Sequence, residues 1–225
     1  MTKKKIIVAI DSSSKTEAVN ILNKLKPELC MVKIGSVIFN SLGRDFIELT
    51  HEKGFQIFLD LKFHDIPNTV QESILAIKSL PIKMLTIHTS GGIQMMKAAM
   101  EAVKGTSIKV FGVTALTSLS NNDVQHIFQR DASAQVNAML DLAEEAGIHG
   151  VVCSPHELTL VKSRDRFLSV TPGIRLVDAY DDQRRVMTPS KAIELGADYL
   201  VIGRPITGSQ DITLALESIH KSIDA

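Results

Sequence analysis

Short apolar runs rich in β-branched residues alternate along the chain with longer stretches whose apolar positions recur every three or four residues. The runs KIIVAI, LCMVKI, FQIFLDL, MLTIHT, IKVFGVTA, GVVCS, FLSVTPG and YLVIG predict strands. Between them, TEAVNILNKL, NTVQESILAIKSL, IQMMKAAMEAV, AQVNAMLDLAEEAG and PSKAIELG carry helical periodicity. Thr16 is placed to open the first helix, Asn68 to cap the helix after the third strand, and Gly147 and Gly196 to close later ones. Strands separated by helices, with no Pro/Gly/Ser-rich linker, predict parallel βα units. Eight such units in 225 residues predict an α/β fold of the (β/α)8 TIM-barrel type, a single domain over residues 1–225. A doubly wound open sheet is the alternative. It fits less well because no GxGxxG follows the first strand and polar residues recur after many strands.

A barrel gathers the carboxyl ends of its strands on one face, where function sits. Those ends carry Asp11, Lys33, Asp60 with Lys62, His88, the segment from Thr114 to Ser118, Arg175 and Gly203 with Arg204. Charged groups there are costly to bury without partners.

Composition narrows the function further. The 25 basic and 25 acidic side chains cancel, against a nucleic-acid or membrane surface. Lys3, Lys4 and Lys5 suit a solvated tail. No apolar run reaches the ~18 residues of a membrane span, and IIVAI is too short for a signal-peptide core. Cys30 and Cys153 lie in apolar stretches without a CxxC partner, the usage of buried free thiols in a reducing cytoplasm.

The most informative stretch is FLDLKFHDIPNTV, residues 58 to 70. Strand alternation puts Asp60 and Lys62 on one face, about 6–7 Å apart along the backbone, facing the barrel interior if Leu59 and Leu61 face the helices. Asp65 lies past the strand end, and Pro67 holds Ile66 extended. In isolation such a set also suits a structural ion pair. A lysine between carboxylates stays protonated, unfit as a Schiff-base nucleophile but fit as a fixed cation and proton donor. That suits a reaction whose carbanion is protonated where it forms.

A second stretch, GADYLVIGRPIT at 196 to 207, runs a strand into Gly203 and Arg204. Backbone N–H groups and a guanidinium there suit a phosphate, at the usual place after barrel strands seven and eight. TPGIR places Arg175 at the end of strand seven, followed by an aperiodic polar segment from Leu176 to Met187 that suits a lid.

With both stretches in view, the chain resembles the bacterial type of the orotidine 5′-phosphate decarboxylase family over essentially its whole length. The resemblance is carried by VAIDSS, VKIG, FLDLKFHDIPNTV, VTALTS, TPGIR, DDQRRVMTP and LVIGRPIT. It implies conversion of orotidine 5′-monophosphate to UMP and CO2, the last step of pyrimidine nucleotide synthesis, with neither metal nor organic cofactor. It implies that Lys62 protonates C6 of the pyrimidine, with Asp60 against the departing carboxylate and Asp65 completing the charge network. It further implies a homodimer in which Asp65 and Thr69 reach into the partner site. Asp11 and Lys33 match ribose contacts, Thr117 a pyrimidine contact, and Arg175, Gln183, Gly203 and Arg204 phosphate and lid contacts. Leu176 and Tyr180 depart from the family pattern in the lid, and His64 and His88 are expected to be structural. The alternatives are a phosphate-binding barrel acting on a sugar phosphate, of the 3-epimerase or hexulose-phosphate synthase type, and a barrel that binds nucleotides without catalysis.

Overall fold

The computed structural model describes residues 4–176 and 186–224. Eight parallel strands close on themselves in chain order, so the predicted (β/α)8 barrel is the observed architecture. The strands are β1 (Ile6–Ile10), β2 (Cys30–Gly35), β3 (Ile57–Phe63), β4 (Met84–His88), β5 (Lys109–Val113), β6 (Gly150–Val152), β7 (Leu168–Thr171) and β8 (Tyr199–Ile202). β1 pairs with β8 through Ile6 and Leu200, which closes the ring. The helices are α1 (Lys15–Lys24), α2 (Ser36–Glu52), α3 (Pro67–Leu75), α4 (Gly92–Ala102), α5 (Asn121–Phe128), α6 (Ala132–Ala146), α7 (Leu158–Lys162), α8 (Pro189–Glu194), α9 (Arg204–Thr207) and α10 (Ile212–Asp224).

Period-two alternation divides the strand side chains between two cores. Inside the barrel, Ile7, Met31, Phe58, Met84, Phe111, Val170 and Tyr199 form one buried cluster. Phe111 meets Phe58 and Tyr199 edge to face, each at 6.3 Å between ring centroids, the arrangement aromatic quadrupoles favour. These rings plug the interior and give the mouth a solid floor. The larger core lies between sheet and helices and includes Val8, Leu59, Leu85, Val110 and Leu200 with Ala18, Ile47, Ile74, Ala99 and Leu216. Leu61 packs against that outer core, as inward-facing Asp60 and Lys62 require.

Two helix starts differ from expectation. Helix α1 is capped by Ser14, whose hydroxyl accepts from the Glu17 N–H, and Thr16 lies inside the first turn. Helix α3 starts at Pro67 with no side-chain cap, so Asn68 is not the cap. Proline suits the first helical position because its fixed φ is already helical and the missing N–H would have no partner there. Gly147 does close α6, at φ 75°. Helix α2 is kinked at Gly43, whose φ of 64° lies outside helical geometry.

Cys30 and Cys153 are buried free thiols, and burial pushes each up to about 12, far from a nucleophilic thiolate. Among the described residues no helix is long and apolar enough to cross a membrane.

Candidate active site

The strand ends of β1, β2 and β3 bring four charged groups into a row of alternating sign. Asp11 lies just past β1, and its Oδ1 accepts from Lys33 Nζ at 3.2 Å. Lys33 Nζ is also 3.5 Å from Asp60 Oδ2. Lys62 Nζ donates to both carboxylate oxygens of Asp60 at 2.9 Å. Asp60 is therefore held between two ammonium groups, with its side chain 11% exposed.

Burial alone raises the Asp60 carboxyl. The Lys33 and Lys62 charges, with hydrogen bonds from Lys62 and Thr86, outweigh burial and hold it below the ordinary carboxylate range. The group is an anion throughout the neutral range. This is a paired array inside a cavity, beyond what a loop ion pair would need.

The geometry of β3 is less regular than alternation implies. Its pairing with β4 shifts register between Leu59 and Phe63, and Lys62 adopts φ 52°, a left-handed conformation unusual outside glycine. The Lys62 N–H accordingly leaves the ladder and donates to Thr86 Oγ1 at 2.9 Å. At this irregular stretch the Lys62 ammonium meets the carboxylate of Asp60, two residues before it on the same strand.

Two residues at this site carry no charge and went unflagged in the sequence. Thr86 is wholly buried on β4 and donates to Asp60 Oδ1 at 2.9 Å. Its position, two before His88 on the inward face of a strand, was the available signal. Gly35 ends β2 beside the row, and a Cβ there would come within 2.8 Å of Lys33 Nζ and 3.4 Å of Asp11 Oδ1. Its absence of a side chain leaves the ammonium room to reach Asp60. The signal was the glycine of VKIG, two residues after Lys33 at the end of the strand.

A cavity of about 650 Å³ opens over the row, within the range of small-ligand sites. Asp11, Lys33, Asp60 and Lys62 line one side, Thr117 another, and Arg175, Gly203 and Arg204 the end above β7 and β8. Phe58, Val113, Val152, Val170 and Val201 supply its apolar floor. A Cβ at Gly203 would be in ordinary contact with Ala9, 3.6 Å away, so packing does not demand this glycine. Arg175 is buried and donates from Nη1 to the Ile174 carbonyl at 2.9 Å. The base of the segment that follows is pinned: Arg175 N–H donates to the Met187 carbonyl at 3.0 Å and Met187 N–H to the Gly173 carbonyl at 3.2 Å. Gln183, and with it most of the expected lid including Tyr180, lies outside the described residues.

Asp65 and Thr69 do not join the row within one chain. Both are exposed, and the Asp65 carboxylate accepts from the Ile66 N–H at 2.7 Å. Ile66 between them is 67% exposed. His88 packs its ring on His64 at 5.2 Å, and His64 Nε2 lies 3.5 Å from the Ser90 hydroxyl. Burial, then the neighbouring His64 and Lys62, lower the His88 imidazole below its ordinary value. Among the described residues no three His, Cys, Asp or Glu side chains are grouped to hold a metal ion.

Residues 4–219 match the model of the Orotidine 5′-phosphate decarboxylase / HUMPS family. The chain belongs to this family. An orotidine 5′-phosphate decarboxylase of Coxiella burnetii is 48% identical, the match covering 97% of this chain and 96% of that protein. One from Shewanella sediminis is 44% identical over 99% and 98%. The crystal structure of orotidine 5′-phosphate decarboxylase from Lactobacillus acidophilus superposes with a TM-score of 0.87 at 38% identity, covering 99% of this chain and all of that one. A Pyrococcus horikoshii structure shares the fold, with a TM-score of 0.80 at 21% identity.

The depressed Asp60 carboxyl sets a pH dependence. Its contribution to stability is fully present above the unfolded carboxyl's value of about 4 and is lost as pH falls through the lower folded value. Urea unfolding should find Asp60→Asn less stable than wild type by about 1–3 kcal/mol at pH 7, less than for a fully buried pair because Lys62 is partly solvated. The gap should persist down to about pH 4 and shrink below it. A gap that widens on acidification would contradict the assignment.

Proposed function

We propose that the protein decarboxylates orotidine 5′-monophosphate to UMP and CO2, the closing step of pyrimidine nucleotide synthesis, in one barrel domain and without metal or organic cofactor. The observation that carries this reading is the clasp of Lys62 by Asp60 inside a cavity whose far end is lined by Gly203 and Arg204. The names of the relatives in the same family support it. The sugar-phosphate alternative is the weaker reading because the curated relatives compared above carry the decarboxylase name.

The chemistry follows from where the electrons go. Breaking the bond from C6 to the carboxylate leaves a pair in an in-plane orbital, orthogonal to the ring π system, so delocalisation gives little relief. Lys62 provides a positive charge against that pair and then one proton, forming the new C6–H bond. The resulting amine recovers its proton from solvent. Asp60 holds the ammonium in place before reaction, so no reorganisation is needed as charge develops, and its own charge faces the departing carboxylate.

Magnitudes show what else is needed. One ammonium about 4 Å from a full negative charge is worth ~4 kcal/mol at an effective dielectric constant of 20, roughly a thousandfold in rate. A larger gain requires water to be excluded, which strengthens the same interaction. Binding energy from the remote phosphate, through Arg175, Gln183, Gly203 and Arg204, is available to close the site for that purpose. In this reading Asp11 and Lys33 meet the ribose hydroxyls and Thr117 the pyrimidine.

The reading also includes a homodimer. The charge row ends at Lys62, whose side chain is 36% exposed, and among the described residues no second carboxylate pairs with it. Asp65 and Thr69 instead project outward beside an exposed Ile66. A second copy offering its Asp65 and Thr69 would extend the alternation by one carboxylate and bury Ile66.

Two variants test the roles. Lys62→Ala should bind UMP as wild type does, by calorimetry, yet lose at least about a thousandfold in turnover of orotidine monophosphate. Near-normal turnover would refute the proton-donor role. Arg204→Ala should lower kcat/KM for the nucleotide by about a hundredfold, as expected for losing a charged contact to phosphate. It should leave reaction of the phosphate-free nucleoside nearly unchanged, and equal losses on both substrates would contradict the phosphate assignment.

A further inference from the structure

We propose that Thr86 is a positioning residue for the reaction: its single hydroxyl fixes both the bulged backbone of Lys62 and the carboxylate of Asp60, and so sets where the ammonium points. The inference rests on the decarboxylation proposed above.

The hydroxyl has one proton to donate and lone pairs to accept. The proton goes to Asp60 Oδ1 at 2.9 Å, and a lone pair accepts the Lys62 N–H at 2.9 Å. Thr86 is wholly buried on the inward face of β4, below the cavity and outside its lining, so it acts through the other two residues and not on the substrate. Both of its contacts are at places where β3 departs from regular structure. Lys62 at φ 52° has withdrawn its N–H from the strand ladder, and a left-handed non-glycine residue persists only where surrounding contacts hold it. Without Thr86 that N–H loses its acceptor, and Asp60 Oδ1 keeps only the lysine it is meant to orient. Valine has nearly the same shape as threonine and neither hydrogen bond, so the hydroxyl can be removed with packing preserved. The groups facing Asp60 are Lys33 from β2, Lys62 from β3 and Thr86 from β4, with Asp11 linked through Lys33 and His88 further along β4. Of these, Thr86 alone bonds both the backbone of Lys62 and the Asp60 carboxylate.

The test compares Thr86→Val and Thr86→Ser with wild type for kcat, KM and UMP affinity by calorimetry. Thr86→Val should lower kcat by about 10- to 100-fold with the UMP Kd within about 3-fold of wild type, and Thr86→Ser should restore kcat to within about 3-fold. The proposal is overturned if Thr86→Val turns over at the wild-type rate, if Thr86→Ser falls as far as Thr86→Val, or if UMP affinity drops in step with kcat. Should Thr86→Val fail to fold, Thr86→Cys carries the same comparison, since its thiol keeps the volume and hydrogen-bonds weakly. A readout independent of turnover is the titration of the Asp60 carboxyl by carbon-13 NMR, which should move up in Thr86→Val. If wild type binds UMP but leaves orotidine monophosphate intact, the functional reading fails, and an unmoved Asp60 titration separately overturns the positioning role.

Discussion

A carboxylate held between two ammonium groups at the end of a buried strand is the constraint around which this barrel mouth is arranged. Asp60 is nearly closed to solvent, and burial alone would favour its neutral form. Lys33 from one neighbouring strand and Lys62 from its own reverse that preference. Each lysine in turn needs the carboxylate, because an ammonium at a half-closed site without a counter-charge is costly. The row is thus mutually dependent, and its members have little freedom to move separately.

That dependence explains features of the fold that would otherwise be defects. The left-handed Lys62, the register shift in β3 and the missing side chain at Gly35 each weaken a regular barrel. Each also lets a charged tip reach its partner. Strain of this kind, of order 1–3 kcal/mol per residue, is tolerated where the surroundings over-determine the conformation. Here the surroundings are the aromatic plug of Phe58, Phe111 and Tyr199 beneath the site and the buried Thr86 beside it. Rigidity below and charge above suit the proposed use of Lys62 as a cation fixed before reaction.

Much of this was legible in the sequence because barrel topology turns a linear rule into a spatial one. Alternating strands and helices predicted the closed sheet, and the rule that strand ends converge placed Asp11, Lys33, Asp60, Lys62, Thr117, Arg175, Gly203 and Arg204 around one cavity, where they lie. Asp65 and Thr69 follow the same strand but are exposed and do not line the cavity of their own chain, since period-two reasoning ends with the strand. Thr86 and Gly35 were not flagged because their importance is relational. A threonine in an apolar strand and a glycine at its end look ordinary until the neighbouring strand is known to bulge. The caps at Ser14 and Pro67 show the same limit on a smaller scale: several residues near each helix start were chemically suitable, and backbone geometry chose among them.

The most direct test of the central claim is a crystal structure with UMP bound. The account predicts Lys62 Nζ within about 3.5 Å of the pyrimidine C6, the distance proton transfer requires, with Asp60 still clasping the ammonium and a carboxylate from a second copy on its open side. A pyrimidine seated with C6 turned away from Lys62, or a lysine released from Asp60, would contradict it.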